Sequence, residues 1–190
     1  MREDLTQILK PWNAASGNAA RDDAEAQIWR KHGRLAAIFV LDLAGFTRGV
    51  AKGGLVAHLD KINRLLNATD PIISEFGGET VKHEADNCFA LFGDVEPAVL
   101  AAKATLTMLA GQRTSGGIGI AFGPILYTGT DYFGQPVNIA CKLGEDIAQP
   151  GEILIEDGAA TMLSVGQQKD GAMRTLRASG IQIVAMVKRC

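Results

Sequence analysis

Residues Ala37–Thr47 read AIFVLDLAGFT: an apolar, β-rich run that ends in an aspartate, a glycine turn and a threonine. The run is too short for a helix and Gly45 closes it, which predicts a buried strand. A second stretch, Gly77–Phe92, reads GGETVKHEADNCFALF and sets another aspartate, Asp86, inside a strand-like segment. An ionised carboxylate at the end of a buried strand is costly unless its charge is compensated. Either acid alone is explained as a turn former or an exposed strand end. Two such acids on neighbouring strands repel each other, and a divalent cation is the usual remedy. Asp42 and Asp86 are therefore candidate metal ligands.

The chain has 190 residues, 47% of them hydrophobic and 21% charged. That is enough for one ordinary domain with a substantial core. A net charge of -2 exerts no general pull on nucleic acid or an anionic membrane. An anionic ligand must be held by a local site. Cys88, Cys141 and Cys190 are widely spaced, odd in number and form no CxxC pair, which points to a reducing compartment and away from a zinc site. No stretch reads as a signal peptide or a membrane span, so the expected location is the cytoplasm.

Residues 1–33 read as an N-terminal helical extension, with Asp22–Lys31 its clearest helix, and 34–190 as the main domain. The expected order there is a strand over 35–41, then a helix with Leu55, Leu59, Ile62 and Leu66 on one face. Strands follow across 79–92, and then a helix from Asp94 with Val95, Val99, Ala102, Leu106 and Leu109 aligned. A strand at 117–122, a helix over Val137–Ile147, a strand at Glu152–Ile155 and a last strand over Gly180–Val187 complete it. This is α+β with a ferredoxin-like βαββαβ core and additional strands. That fold hosts many activities and does not decide among them.

Four blocks, in order, resemble the class III adenylyl/guanylyl cyclase catalytic domain: FVLDLAGFT, GGETVKHEAD, DYFGQPVNIACKL and QPGEILI. The resemblance runs from about Ala36 to the C-terminus. It implies a class III cyclase-type fold for 34–190 and a homodimer with its site at the interface. It also implies two Mg²⁺ or Mn²⁺ per site, held by Asp42, Asp86 and the Leu43 carbonyl. Gly45, Phe46 and Thr47 would offer backbone N–H groups to the phosphates. Lys82 and Asp131 would read the base, a donor and an acceptor that suit adenine and hence ATP. Asn138 and Lys142, four apart on one helix face, stand where the family has a ribose-orienting asparagine and a transition-state arginine. Lysine keeps the charge but lacks the planar fork of arginine. Arg174, Arg177 and Lys188 are candidates to share its task. Ala85 stands where the family has glycine, and Glu84 adds negative charge nearby.

The resemblance implies an adenylyl cyclase that makes cyclic AMP and pyrophosphate for signalling, with ATP as substrate and neither nucleic acid nor membrane as partner. The alternative is a dimeric nucleotide-binding or regulatory module with weak or no turnover. Control by a partner acting through residues 1–33 is a further expectation. The GGET at 77–80 also resembles part of the diguanylate cyclase signature, but that reading leaves Lys82, Asp131 and Asn138 without a role.

Overall fold

The computed structural model describes residues 5–44, 54–178 and 180–189. Three helices come first, α1 (Leu5–Ile8), α2 (Lys10–Ala14) and α3 (Asn18–His32). The centre is β1 (Gly33–Leu43), in which Ala37 to Leu41 are all fully buried. Helices α4 (Leu55–Asn67) and α5 (Thr69–Glu75) lead to the hairpin β2 (Glu79–Glu84) and β3 (Asn87–Phe92). Helix α6 (Val95–Gly111) leads to β4 (Gly116–Tyr127), which pairs with the short β5 (Tyr132–Phe133). Then come α7 (Gln135–Cys141), β6 (Glu152–Glu156), the short α8 (Asp157–Ala160) and α9 (Val165–Lys169), and the hairpin β7 (Ala172–Ala178) and β8 (Ile181–Arg189).

The strands form one mixed sheet in the order β2-β3-β1-β4-β6-β8-β7. β1 lies antiparallel between β3 and β4, and β4 is parallel to β6. The first four strands with their intervening helices trace the expected βαββαβ unit. Among the described residues, no helix is long and apolar enough to cross a membrane.

One face of the sheet packs against α4, α5, α6 and α8, joining Phe39, Leu41, Cys88 and Ile120 to helix residues such as Leu66, Val99 and Leu109. Asp94 caps α6, its side chain accepting from Val95 N at 2.6 Å. All five aligned positions of α6 are buried as expected. Of the expected stripe on α4, Ile62 and Leu66 are covered, whereas Leu55 and Leu59 are exposed. Pro71 sits in the first turn of α5 and does not kink α4, because a missing N–H costs nothing there.

The other face is approached by backbone. A Cβ on Gly119 would strike the Ala140 carbonyl, and one on Gly144 would come within 2.6 Å of the Val40 carbonyl. α7 therefore lies directly on the sheet. The continuous α-helix expected to Ile147 stops at Cys141, and Lys142–Ile147 is a π-helical segment. Ala148 N donates to Leu143 O, five residues back, at 2.8 Å. Such wider turns recur at functional sites. β7 was not expected from the sequence: it is an edge strand, mostly exposed, without the alternation that announces a half-buried one.

Candidate active site

Asp42 lies near the end of β1, directly across from Asn87 on β3 and Gly117 on β4. Asp86 is in the β2–β3 turn, and its carbonyl accepts from Leu43 N at 3.1 Å. This one backbone bond ties together the two segments that carry the candidate metal acids. Burial, then the charges of Asp86 and Glu145, push the Asp42 carboxyl up to about 6. Three like charges therefore converge on one partly buried place.

Glu145 was not singled out by the sequence. The π-helical segment places it where it accepts from Asn87 Nδ2 at 3.0 Å. Burial and the charges of Asp146, Glu84 and Asp86 raise its pKa. No spacing rule for an ordinary helix would have aimed it there. Asn87 Oδ1 is buried and, among the described residues, lacks a hydrogen-bond donor. An orphaned carbonyl oxygen beside mutually repelling carboxylates is the hard-oxygen environment that Mg²⁺ or Mn²⁺ takes. Leu43 is the last residue of β1 and is buried. Gly45, Phe46 and Thr47 lie outside the described residues.

Lys82 and Asp131 meet, Nζ to Oδ1, at 3.4 Å. They come from β2 and from the turn before β5. Asp131 is fixed by that turn: its N donates to Thr128 Oγ1 at 3.0 Å, and its Oδ1 accepts from Tyr132 N at 2.9 Å. The turn-forming role and the pairing with Lys82 coexist in one side chain. Glu84 also holds Lys82 Nζ, at 2.9 Å. Burial pulls the Lys82 pKa down, but the Glu84 hydrogen bond and the Asp131 and Glu84 charges outweigh it, and the net shift is upward. His83 points to the opposite face of β2 and reaches Asp70.

Asn138 and Lys142 line one cavity of ≈ 390 Å³ with Glu156, Asp157 and Gln182. Lys142 is 3.8 Å from Asp146. Of its proposed substitutes, Lys188 is 2% exposed and donates to the Gln167 carbonyl, so it is committed elsewhere. Arg174 opens on a different cleft, beside Lys169 and Arg189. Arg177 pairs across the hairpin with Gln182, which lines the Lys142 cavity. Neither Asp42 nor Asp86 is among the residues that line the Asn138–Lys142 cavity.

No family model matches the chain. It is 29% identical over 133 residues to the putative adenylate cyclase 3 of Rhizobium meliloti (strain 1021). That match covers 66% of this chain but only 22% of the relative. Among solved structures, the adenylyl cyclase CyaB from P. aeruginosa superimposes with a TM-score of 0.69 at 20% identity, covering 83% of this chain and 96% of that one. The adenylate/guanylate cyclase/hydrolase from Silicibacter pomeroyi does so at 0.66 and 25% identity, covering 82% and 95%. The fold is that of a class III adenylyl/guanylyl cyclase catalytic domain. The resemblance carried by the four sequence blocks is borne out: in sequence and in fold the chain is similar to adenylyl/guanylyl cyclase catalytic domains.

Proposed function

We propose that this domain is a homodimeric adenylyl cyclase that converts ATP to 3′,5′-cyclic AMP and pyrophosphate. The observation that carries the reading is the meeting of Asp131 with Lys82, which lies on the hairpin that also bears Asp86. Lysine donates and aspartate accepts, so the pair matches the ring nitrogen and the exocyclic amine of adenine. Asn138 orients the ribose. Lys142 places positive charge by the α-phosphorus as negative charge builds there, an effect worth several kcal/mol in such sites. The ribose 3′ hydroxyl loses its proton to solvent as its oxygen bonds to the α-phosphorus, the bond from that phosphorus to the bridging oxygen breaks, and pyrophosphate leaves. Two Mg²⁺ or Mn²⁺ ions held by Asp42, Asp86 and the Leu43 carbonyl would supply Lewis-acid activation and charge neutralisation.

That the cavity lined by Asn138 and Lys142 does not take in Asp42 or Asp86 supports a site shared between two copies. Asp42 and Asp86 come from one copy, and Lys82, Asp131, Asn138 and Lys142 from the other. Leu55, Val56 and Leu59 on α4 are exposed apolar residues that association would shelter. Residues 1–33 form a separate regulatory extension in this reading. Trp29 of α3 lines a cleft with Gln135, Pro136 and Ile139 of α7. A partner that moved α3 would act on the helix that bears Asn138.

A second reading, a nucleotide-binding module with weak turnover, is favoured by two contacts. Lys142 is paired with Asp146, and Lys82 with Glu84. The deciding experiment incubates the purified protein with Mn²⁺ and either ATP or GTP and measures cyclic nucleotide and pyrophosphate. Cyclic AMP that disappears in Asp42→Ala supports the enzyme. Metal-dependent ATP binding without product supports the module, and cyclic GMP as main product overturns the base assignment.

A further inference from the structure

We propose that Asp70, His83 and Cys88 form a second cation site, for a borderline-soft metal such as Zn²⁺, on the helix-facing side of the β2–β3 hairpin. The inference does not depend on the cyclase reading. His83 and Cys88 are direct partners in the hairpin register. Both face the helices, while Lys82 reaches Asp131 on the other side. Asp70 approaches from the first turn of α5. One ligand atom from each of the three lies within 4.8 Å of the others.

The donor set is thiol, imidazole and carboxylate, the combination that selects zinc-like ions over Mg²⁺. Tetrahedral zinc with arms of about 2.0–2.3 Å spaces its ligands roughly 3.3–3.8 Å apart. His83 Nε2 and Asp70 Oδ1 are already 3.0 Å apart. A cation would take the place of the proton between them, and the thiol would close the remaining gap. Supporting contacts are present: Thr80 Oγ1 donates to Asp70 Oδ1 at 2.9 Å, and Thr69 Oγ1 lies 3.5 Å from Cys88 Sγ. Asp70 and His83 are partly exposed, giving ions a way in, while Cys88 is fully buried. A solvent water completes the four ligands. Binding releases the thiol proton, so affinity falls as pH is lowered. The cation would pin together the two strands that flank Asp86.

The test titrates Co²⁺ into the chelator-stripped chain in excess Mg²⁺, following visible absorption and thermal stability. The expected result is one Co²⁺ per chain with a thiolate-to-cobalt absorption band and a raised Tm. Cys88→Ser should abolish the band, and Asp70→Asn should weaken binding about 10- to 100-fold, a ligand loss costing at least what loss of a supporting contact does. Asp42→Asn and Cys141→Ser should leave it intact. A wild-type spectrum without a thiolate band overturns the proposal, as does a band that is lost in Cys141→Ser. Should Cys88→Ser fail to fold, unchanged Co²⁺ affinity in Asp70→Asn overturns it equally.

Discussion

The two faces of the central sheet are built on different rules. The helix-covered face is closed by side chains: Leu66, Val99, Leu106 and Leu109 fill the space over Phe39 and Ile120. The other face has its own apolar clusters, around Ile38, Val40 and Phe89 and around Leu143 and Leu154, but on β4 Gly117 and Gly119, with Gly144, also let α7 and its π-helical extension rest on strand backbone. Apolar packing tolerates small shifts as long as volume is kept. Backbone contact fixes position more tightly, and the candidate catalytic groups Asn138 and Lys142 ride on the element placed that way.

The contrast can be broken from either side. The largest loss of stability should come from the helix face. Leu109→Ala, at a fully buried position, should cost about 2–5 kcal/mol in a denaturant titration. It should leave the nucleotide KM of the folded fraction unchanged. Asp42→Ala should do the reverse, cutting cyclase activity at least 100-fold, about 2.7 kcal/mol of barrier, with little loss of stability. Mixing Asp42→Ala chains with Asn138→Ala chains should restore activity, because one of the two shared sites is then intact. No recovery in verified mixed dimers would count against sharing.

Gly119→Ala sharpens the comparison further. Its Cβ meets the Ala140 carbonyl, so α7 must move, at about 1–3 kcal/mol. Unlike Leu109→Ala, it should lower kcat as well.

The acids should also make the metal-free protein sensitive to pH. Asp42 titrates near 6 in the folded chain against 3.8 for the free side chain. Between those values the folded state binds more protons than the unfolded one, so stability falls as pH rises. Thermal melts without metal should show this decline finished above about pH 6. Asp42→Asn should flatten it, and Mn²⁺ should oppose it. The smallest effect is at Ala85, whose φ of 53° lies in the left-handed region. Ala85→Gly removes about 1 kcal/mol of strain but adds unfolded-state entropy of similar size. A shift in Tm within a few degrees is expected.

Much of this was legible in the chain because it depends on local pattern. The alignment of Val95, Val99, Ala102, Leu106 and Leu109 announced the helix that covers the sheet, and Asp94 announced its start. The β-rich run before Asp42 announced the central strand. The pairing of Lys82 with Asp131 was readable only through the family resemblance, since 49 positions separate them in the chain. The stripe on α4 was half misread: hydrophobic spacing says which residues share a face, not whether a partner covers all of it.

Sequence alone determined the order of the central strands and helices, though not β7, and the two-acid theme of Asp42 and Asp86. These are properties of residue type and spacing along the chain. Tertiary structure alone decided that Glu145 turns toward Asp42, that Lys188 is committed to the Gln167 carbonyl, and that His83, Asp70 and Cys88 converge behind the hairpin. Each of these depends on where backbones approach one another. A π-helical turn set by Gly144 against Val40, or a register that puts His83 opposite Cys88, is decided by packing between segments distant in sequence.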